Sequence, residues 1–226
     1  FLNRHTHIDL LSLSRIKSYD DLLNALGHTP YRKMWEPFRP VPGIPLNYTG
    51  VENALYTYLY KNLFKNIRQY TKGETRVQLL NLFNSYLDIY NYIRIIRLKH
   101  FYHAGADFIK SSLLPFGTIS ERNLNEMLSA ESKNELIAAM KKNSVGEKYL
   151  KVKYSYPDEL AGQARYLISR HNIHFSTHPP VVMLSYIFLL QTEIKDITNI
   201  IEGIRYKLPS SEIAKLLTVF NFETKG

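Results

Sequence analysis

The stretch from Leu79 to Lys99, LLNLFNSYLDIYNYIRIIRLK, constrains the fold more than any other part of the chain. On a helix of 3.6 residues per turn, its apolar residues occupy one broad face and a second strip, which predicts a helix that is buried on two sides. Asp88 and Asn91 lie one turn apart on the polar ridge between these faces. We therefore expect an acidic group and an amide close to the core of a helical domain.

The rest of the chain carries helix signals and no sustained period of two, so the pattern predicts an all-α fold. Ser18 with Asp21, and Ser132 with Glu135, have the spacing of helix N-terminal capping pairs. A stiff loop with four prolines is predicted from Glu36 to Gly50. The other predicted helices are a weak one at Leu2–Arg15, then Val51–Tyr70, Asp107–Ser112, Pro157–Arg170, Val181–Tyr206 and Ile213–Leu217.

Composition excludes several classes of protein. The chain has 226 residues, of which 45% are hydrophobic, and it has no cysteine, which rules out thiol catalysis and thiolate metal sites. The longest apolar run, Val181–Leu190, is far shorter than the roughly 20 residues that a membrane helix needs, so it predicts a core helix. The net charge of +9 is compatible with nucleic acid or with an acidic protein as partner. The basic residues are dispersed along the sequence, and this favours an acidic protein as the partner.

Segments of the first half recur in the second half in the same order. Ser18–Leu26 is similar to Ser132–Met140, and Asp88 and Asn91 are matched with Glu193 and Asp196. The short helix at Asp107–Ser112 is matched with the one at Ile213–Leu217. Units of about 100 residues are domains rather than solenoid repeats. The sequence thus predicts a remnant or linker helix at 1–16 and two helical repeats, at 17–116 and 117–226.

No catalytic constellation stands out in the residues. His171, His174 and His178 are compatible with a metal site, but the segment from His171 to Pro180 reads as a loop without a nearby carboxylate. Asp88 and Glu193 are compatible with an acid–base pair. Because each belongs to a different predicted repeat, a shared structural role is favoured, such as capping a helix or pairing with Arg94. We expect no active site, no metal and no cofactor.

Five stretches together resemble a known family. They are Ser18–Tyr31 (SYDDLLNALGHTPY), Val51–Phe64 (VENALYTYLYKNLF), Leu87–Lys99 (LDIYNYIRIIRLK), Leu114–Gly117 (LPFG) and Glu193–Arg205 (EIKDITNIIEGIR). The chain is similar to the C subunit of archaeal and bacterial V/A-type ATPases, the counterpart of the d subunit of the eukaryotic V-ATPase. Family members are typically built of three helical repeats, and this chain resembles the second and third.

The resemblance implies a function without catalysis. It implies a funnel of pseudo-symmetric helical repeats on the central rotor, at the cytoplasmic face of the membrane. This socket couples the axle subunits, of D and F type, to the membrane c-ring during ATP-linked proton or sodium ion transport. The acid-x-x-amide pattern of Asp88 and Asn91 matches the repeated helix signature of the family. Glu193 is kept in the second copy, where Asp196 stands in place of the amide.

The surface that meets a partner is predicted from tyrosines. Tyr56, Tyr58 and Tyr60 are too many for one buried face of a helix, so at least one should be exposed to a partner. The alternative function is a basic helical module that binds nucleic acid or protein. The salt dependence of binding distinguishes a nucleic-acid-binding module from a rotor subunit, because binding to a phosphate backbone weakens steeply as the salt concentration rises. A third possibility is a hydrolase with a histidine-bound metal.

Overall fold

A computed structural model describes residues 8–150 and 157–218, and every regular element in these two ranges is a helix. The predicted all-α fold is confirmed. The chain divides into two compact units, Phe1–Leu63 and Phe64–Gly226. This boundary falls inside one long helix and differs from the predicted repeat boundary at residue 116. Compactness and internal duplication are separate properties, so one does not test the other.

Twelve α-helices lie in the described ranges. They are α1 (Leu10–Leu13), α2 (Tyr19–Ala25), α3 (Pro30–Trp35), α4 (Tyr48–Tyr70), α5 (Gly73–Ile96), α6 (Ala106–Ser112), α7 (Glu121–Ser129), α8 (Lys133–Met140), α9 (Ser144–Tyr149), α10 (Pro157–Phe175), α11 (Pro179–Arg205) and α12 (Ser210–Lys215). A 3-10 turn, Glu36–Phe38, follows α3, and a π-helical turn, Arg97–Phe101, extends α5.

The first unit is organised by helix caps and aromatic contacts. The backbone N–H of Asp21 donates to the Ser18 hydroxyl and the Asp21 carboxylate accepts from the Ser18 backbone, so the predicted capping box at α2 is confirmed. The Ser18 hydrogen bond, with help from Lys17, lowers the pKa of Asp21. Leu23 is buried behind this cap. The Tyr19 hydroxyl, at the start of α2, donates to the carbonyl of Trp35 at the end of α3 at 2.7 Å.

The second unit is built around α5, which contacts α9, α10 and α11. Half of the 24 residues of α5 are buried, including Leu87, Tyr92 and Ile95 with no exposed surface, so the predicted double-sided burial is confirmed. Tyr86 joins the neighbouring helices. Its hydroxyl lies 3.1 Å from Ser169 Oγ on α10, and its ring packs edge-on against Phe188 of α11, with centroids 5.1 Å apart.

Several predicted boundaries are corrected. The loop predicted from His171 to Pro180 spans only residues 176–178, because α10 continues to Phe175 and α11 begins at Pro179. Proline at the first position of α11 fits a helix start, since its missing N–H would have no partner there. The region predicted as a loop or weakly helical link, 143–156, contains α9 up to Tyr149, and its residues 151–156 lie outside the described residues. Residues 2–7 of the predicted helix Leu2–Arg15 also lie outside the described residues.

Candidate functional site

The buried carboxylate of Asp88 on α5 holds the loop between α6 and α7. The backbone N–H of Thr118 donates to Asp88 Oδ1 at 2.8 Å, and the Thr118 hydroxyl donates to Asp88 Oδ2 at 2.5 Å. The Thr118 hydroxyl in turn accepts from Asn143, the residue that caps α9, at 3.0 Å. One carboxylate therefore ties α5 to a loop and to the start of another helix.

Asn91 fastens the same loop one helical turn further on. Its Nδ2 donates to the Leu114 carbonyl at 3.1 Å, and its Oδ1 accepts from the Leu114 N–H at 3.0 Å. Its side chain is 3% exposed, so both backbone groups of Leu114 would lack water if the amide were removed. We call this pair of residues on one helix, together with the loop backbone it binds, a carboxylate–amide clamp.

Gly117 makes the close approach of the loop possible. Its φ is +105°, which an L side chain rarely adopts, and a Cβ there would lie 2.1 Å from Asp88 Oδ1. Arg94 adds a further contact on the next turn of α5, because its guanidinium donates to the Ser112 carbonyl at 2.6 Å. Three residues of α5, spaced three positions apart, thus bind the segment from Ser112 to Thr118.

The chemistry of this site is structural. Burial raises the pKa of the Asp88 carboxyl, and the hydrogen bonds from Thr118 only partly offset that increase. The side chain has no exposed surface and both of its oxygens accept hydrogen bonds, so a substrate cannot reach it while the loop is in place. A general base needs access to the proton that it removes. The arrangement supports the structural role predicted for Asp88 rather than catalysis.

A second clamp of the same kind lies on α11. Asp196 Oδ1 accepts from the backbone N–H of Thr218 at 2.9 Å, and Asn199 Nδ2 donates to the Leu216 carbonyl at 3.0 Å. Asp196 is 7% exposed. As on α5, the aspartate binds a threonine N–H and the amide three residues later binds the carbonyl of a leucine, in the segment that follows a short helix.

The contacts on α11 differ from the matching of residues that the sequence predicted. Glu193, matched with Asp88 by sequence, is exposed, and Asp196 makes the contact that corresponds to that of Asp88. Asn199, which the sequence comparison missed, takes the place of Asn91. The signal was present in the sequence, since Asp88–Asn91 reads DIYN and Asp196–Asn199 reads DITN. The helix that contains them is apolar on several sides, which permits more than one alignment.

The three tyrosines predicted as partner contacts lie in α4 and are all half-buried. Tyr56 and Tyr58 line a cleft of about 440 Å³ within the first unit, and Tyr58 packs edge-on against Tyr31 with centroids 5.7 Å apart. Tyr60 does not line this cleft. Each of the three keeps part of its surface accessible to solvent. The large apolar side chains of α4 that are more exposed are Tyr48, Leu59 and Tyr70.

The three histidines have separate structural environments. His171 and His174 belong to the last turns of α10, and His178 precedes α11, where its Nδ1 lies 2.8 Å from Thr75 Oγ1. Burial and the nearby Lys148 lower the pKa of His171. Across the described residues, no three His, Cys, Asp or Glu side chains come close enough together to hold a metal ion.

An extended apolar surface of the second unit lies on α11. Seven of its aliphatic side chains are between 37% and 65% exposed. They are Met183, Ile187, Leu190, Ile194, Ile197, Ile201 and Ile204. The residues that α11 buries include Ser185, Thr192, Asp196 and Gly203. A long helix that exposes a row of aliphatic side chains is typical of an interaction surface.

Comparison with known proteins identifies the family of the chain. Residues 1–216 match the family described as "ATP synthase (C/AC39) subunit". This chain belongs to that family. The C subunit of the A-type ATP synthase of Pyrococcus furiosus is 26% identical over 211 residues, which cover 89% of this chain and 55% of that protein. The chain thus spans about half the length of its curated relative. No solved structure matches it significantly.

Membership confirms the resemblance drawn from the sequence stretches. The matched region includes both clamps except Thr218. This residue, the partner of Asp196, lies two positions after the end of the match. Within residues 8–150 and 157–218, no helix is long and apolar enough to cross a membrane.

Proposed function

We propose that this chain is a non-catalytic subunit of the central rotor of a V/A-type ATPase or ATP synthase. In this role it forms part of a socket that couples axle subunits of D and F type to the membrane c-ring during ATP-linked proton or sodium ion transport. The observation that carries the proposal is the family match over residues 1–216. In this proposal the chain is a peripheral subunit at the cytoplasmic face of the membrane.

The structure supports a role in binding proteins. The buried carboxylates of Asp88 and Asp196 are engaged in the two clamps, and the exposed apolar side chains of α11 are available to a partner protein. A socket has to hold its partners while transmitting torque, and this calls for rigid helices joined by well-fixed loops. The clamps supply such fixation, because each binds loop backbone to a long helix through side-chain hydrogen bonds, and those of Asn91 are buried.

We also propose that the chain contains two tandem helical repeats, 17–116 and 117–226, preceded by a remnant or linker helix in 1–16. The support is the pair of clamps, which use the same residue types at the same spacing on α5 and α11. Tandem repeats of this kind form part of a funnel when they are arranged around an axis.

The test is a tagged pull-down from solubilised membranes of the source organism, with the co-eluting chains identified by mass spectrometry. Recovery of axle and ring subunits of a rotary ATPase is the expected result. Recovery of nucleic acid, lost steeply as salt rises, would overturn the proposal in favour of a basic nucleic-acid-binding module. Recovery of other proteins without motor subunits would also overturn it.

The tyrosine surface is tested in the same assay. We propose that Tyr56, Tyr58 and Tyr60 contribute partner contacts, and each is replaced by alanine in turn. At least one replacement should reduce recovery of the motor subunits. The matched control is Tyr102→Ala, since Tyr102 is 74% exposed on the second unit and outside the proposed surface. Unchanged recovery with all three variants would remove the tyrosines from the interface.

A further inference from the structure

The exposed side of helix α11 is unusually apolar for a surface helix. Its buried residues are mostly small or polar, and its exposed side carries seven aliphatic side chains. A surface helix of a globular protein normally has the opposite arrangement, with its apolar stripe facing the core and its polar residues facing water. The exposed face of α11 therefore has the composition of a core and lacks a covering element among the described residues.

The spacing of the exposed residues identifies the kind of element that fits. From Met183 to Ile204 the seven residues follow one another at steps of four and three in strict alternation. This alternation averages 3.5 residues, the repeat with which one helix packs along another in a left-handed coiled coil. The period is kept over three heptads, so the surface is a continuous seam along the helix. We call these seven residues the α11 seam.

The size of the α11 seam also fits a protein interface. Seven aliphatic side chains that are about half exposed present an apolar surface on the order of 700 Å², which exceeds the few hundred Å² that monomeric proteins usually expose in one patch. It approaches the roughly 800 Å² that each partner contributes to a standard interface. A single long helix can cover such a narrow, straight surface.

Charge distinguishes among possible partner helices. The C-terminal end of the seam is flanked by exposed Arg205 and Lys207 and its middle by exposed Glu193, whereas Leu184, Tyr186 and Gln191 flank its first turns without charge. Residues beside a coiled-coil seam select the partner and its direction through charge pairs. A complementary helix carries acidic residues at the end that meets Arg205 and Lys207.

A second copy of α11 does not supply this complement. In a parallel pair, Arg205 and Lys207 of the two copies lie together and repel. In an antiparallel pair that overlaps along the whole seam, they lie against the first turns of the other helix. The segment from His178 to Thr192 contains no acidic residue. Charge therefore disfavours self-association along the whole length of the seam.

We propose that the α11 seam docks an amphipathic helix of another polypeptide, with apolar residues at alternating steps of three and four and acidic residues beside Arg205 and Lys207. This inference is independent of the rotor assignment, because it concerns the purified chain and the chemistry of one helix face. The rotor proposal can fail while this one stands, and the reverse is equally possible.

The experiment uses the full chain and three fluorescent helical peptides of equal length. The first has leucine and isoleucine at alternating steps of three and four, with glutamates flanking one end. The second has the same seam with lysines in place of the glutamates, and the third has the composition of the first in scrambled order. Binding is measured by fluorescence anisotropy, and the mass of the chain alone is measured by sedimentation equilibrium.

Variants on and off the seam locate the binding surface. Ile194→Gln/Ile201→Gln places two amides in the seam, where both side chains are exposed and can be replaced without loss of core packing. The matched control is Val77→Gln, since Val77 is 48% exposed on α5 and outside the seam. Circular dichroism melts check that each variant folds like the parent chain.

We expect the glutamate peptide to bind at least tenfold more tightly than the other two, with an advantage over the lysine peptide that shrinks as salt rises. The double variant should lose at least tenfold in affinity, and Val77→Gln should not. Equal binding of the scrambled peptide would overturn the proposal, because it would mean non-specific apolar adhesion. Absence of binding would also overturn it, as would a dimer of the chain that the double variant dissociates.

Discussion

The two long helices of the second unit, α5 and α11, carry the same clamp in different surroundings. Both present an aspartate and an asparagine three residues apart, and both bind the segment that follows a short helix. Half of α5 is buried, whereas α11 buries few residues and exposes seven aliphatic ones in a seam. Similar local chemistry is thus compatible with unequal burial, which depends on the elements that surround a helix.

The same substitution in the two helices should give the largest contrast. Ile95→Ala removes a side chain with no exposed surface and should lower the free energy of unfolding by about 2–5 kcal/mol through lost burial and a cavity. Ile201→Ala, at a position that is 61% exposed, should change it by about 0.5 kcal/mol or less. Urea unfolding of the two variants measures both values. Equal losses would mean that the α11 seam is packed within the chain itself.

The loop that the first clamp binds should be nearly as sensitive. Gly117→Ala combines an unfavourable φ with a Cβ that meets Asp88 Oδ1, so we expect a loss of about 2–4 kcal/mol in unfolding free energy. Gly73→Ala is the control, because Gly73 also has positive φ, +56°, but nothing lies within 4 Å of its Cβ position. It should cost about 1 kcal/mol. Thermal unfolding that ranks Gly73→Ala as the more harmful would contradict the close approach.

The two amides of the clamps should differ in a graded way. Asn91→Ala leaves the N–H and the carbonyl of Leu114 buried without their partner, which should cost about 2–3 kcal/mol. Asn199→Ala removes one hydrogen bond at a half-buried position and should cost about 1 kcal/mol or less. Denaturant midpoints of the two variants give the comparison. A larger cost at Asn199 would mean that the second clamp is the more important one.

A smaller effect should appear in the pH dependence of stability. Burial raises the pKa of Asp88 in the folded state, so the folded chain keeps its proton at pH values where the unfolded chain has lost it. The stability that this proton contributes is complete below the ordinary aspartate pKa and is lost as pH rises through the higher folded value. Asp88→Asn should remove this loss, since an amide can still accept the Thr118 N–H.

The measurement for Asp88 is a series of urea unfolding curves across mildly acidic pH. The difference in unfolding free energy between Asp88→Asn and the parent chain should shift in favour of the variant as pH rises. Glu193→Gln is the control, since it removes an exposed carboxylate of α11 and should leave the slope of the parent chain in place. A difference that is constant with pH would contradict the raised pKa.

The sequence alone determined the helical class, the double-sided burial of α5 and the family. These follow from features that act over short distances along the chain, such as the 3.6-residue period of Leu79–Lys99 and the cap formed by Ser18 and Asp21. The end of α10 was mispredicted because Asn172 and a proline pair near His171–Pro180 suggested a loop. Propensity is a weak guide where tertiary packing extends a helix.

Only the tertiary structure decided which residues form the second clamp and which face of α11 is exposed. Asp196 and Asn199 are identified by what they bind, Thr218 and Leu216, and no spacing along one helix specifies a partner on another segment. The run from Val181 to Leu190 is apolar on all sides, so its sequence does not indicate which side meets α10 and α5. Burial is a property of the neighbours that a helix finds, and these come from distant parts of the chain.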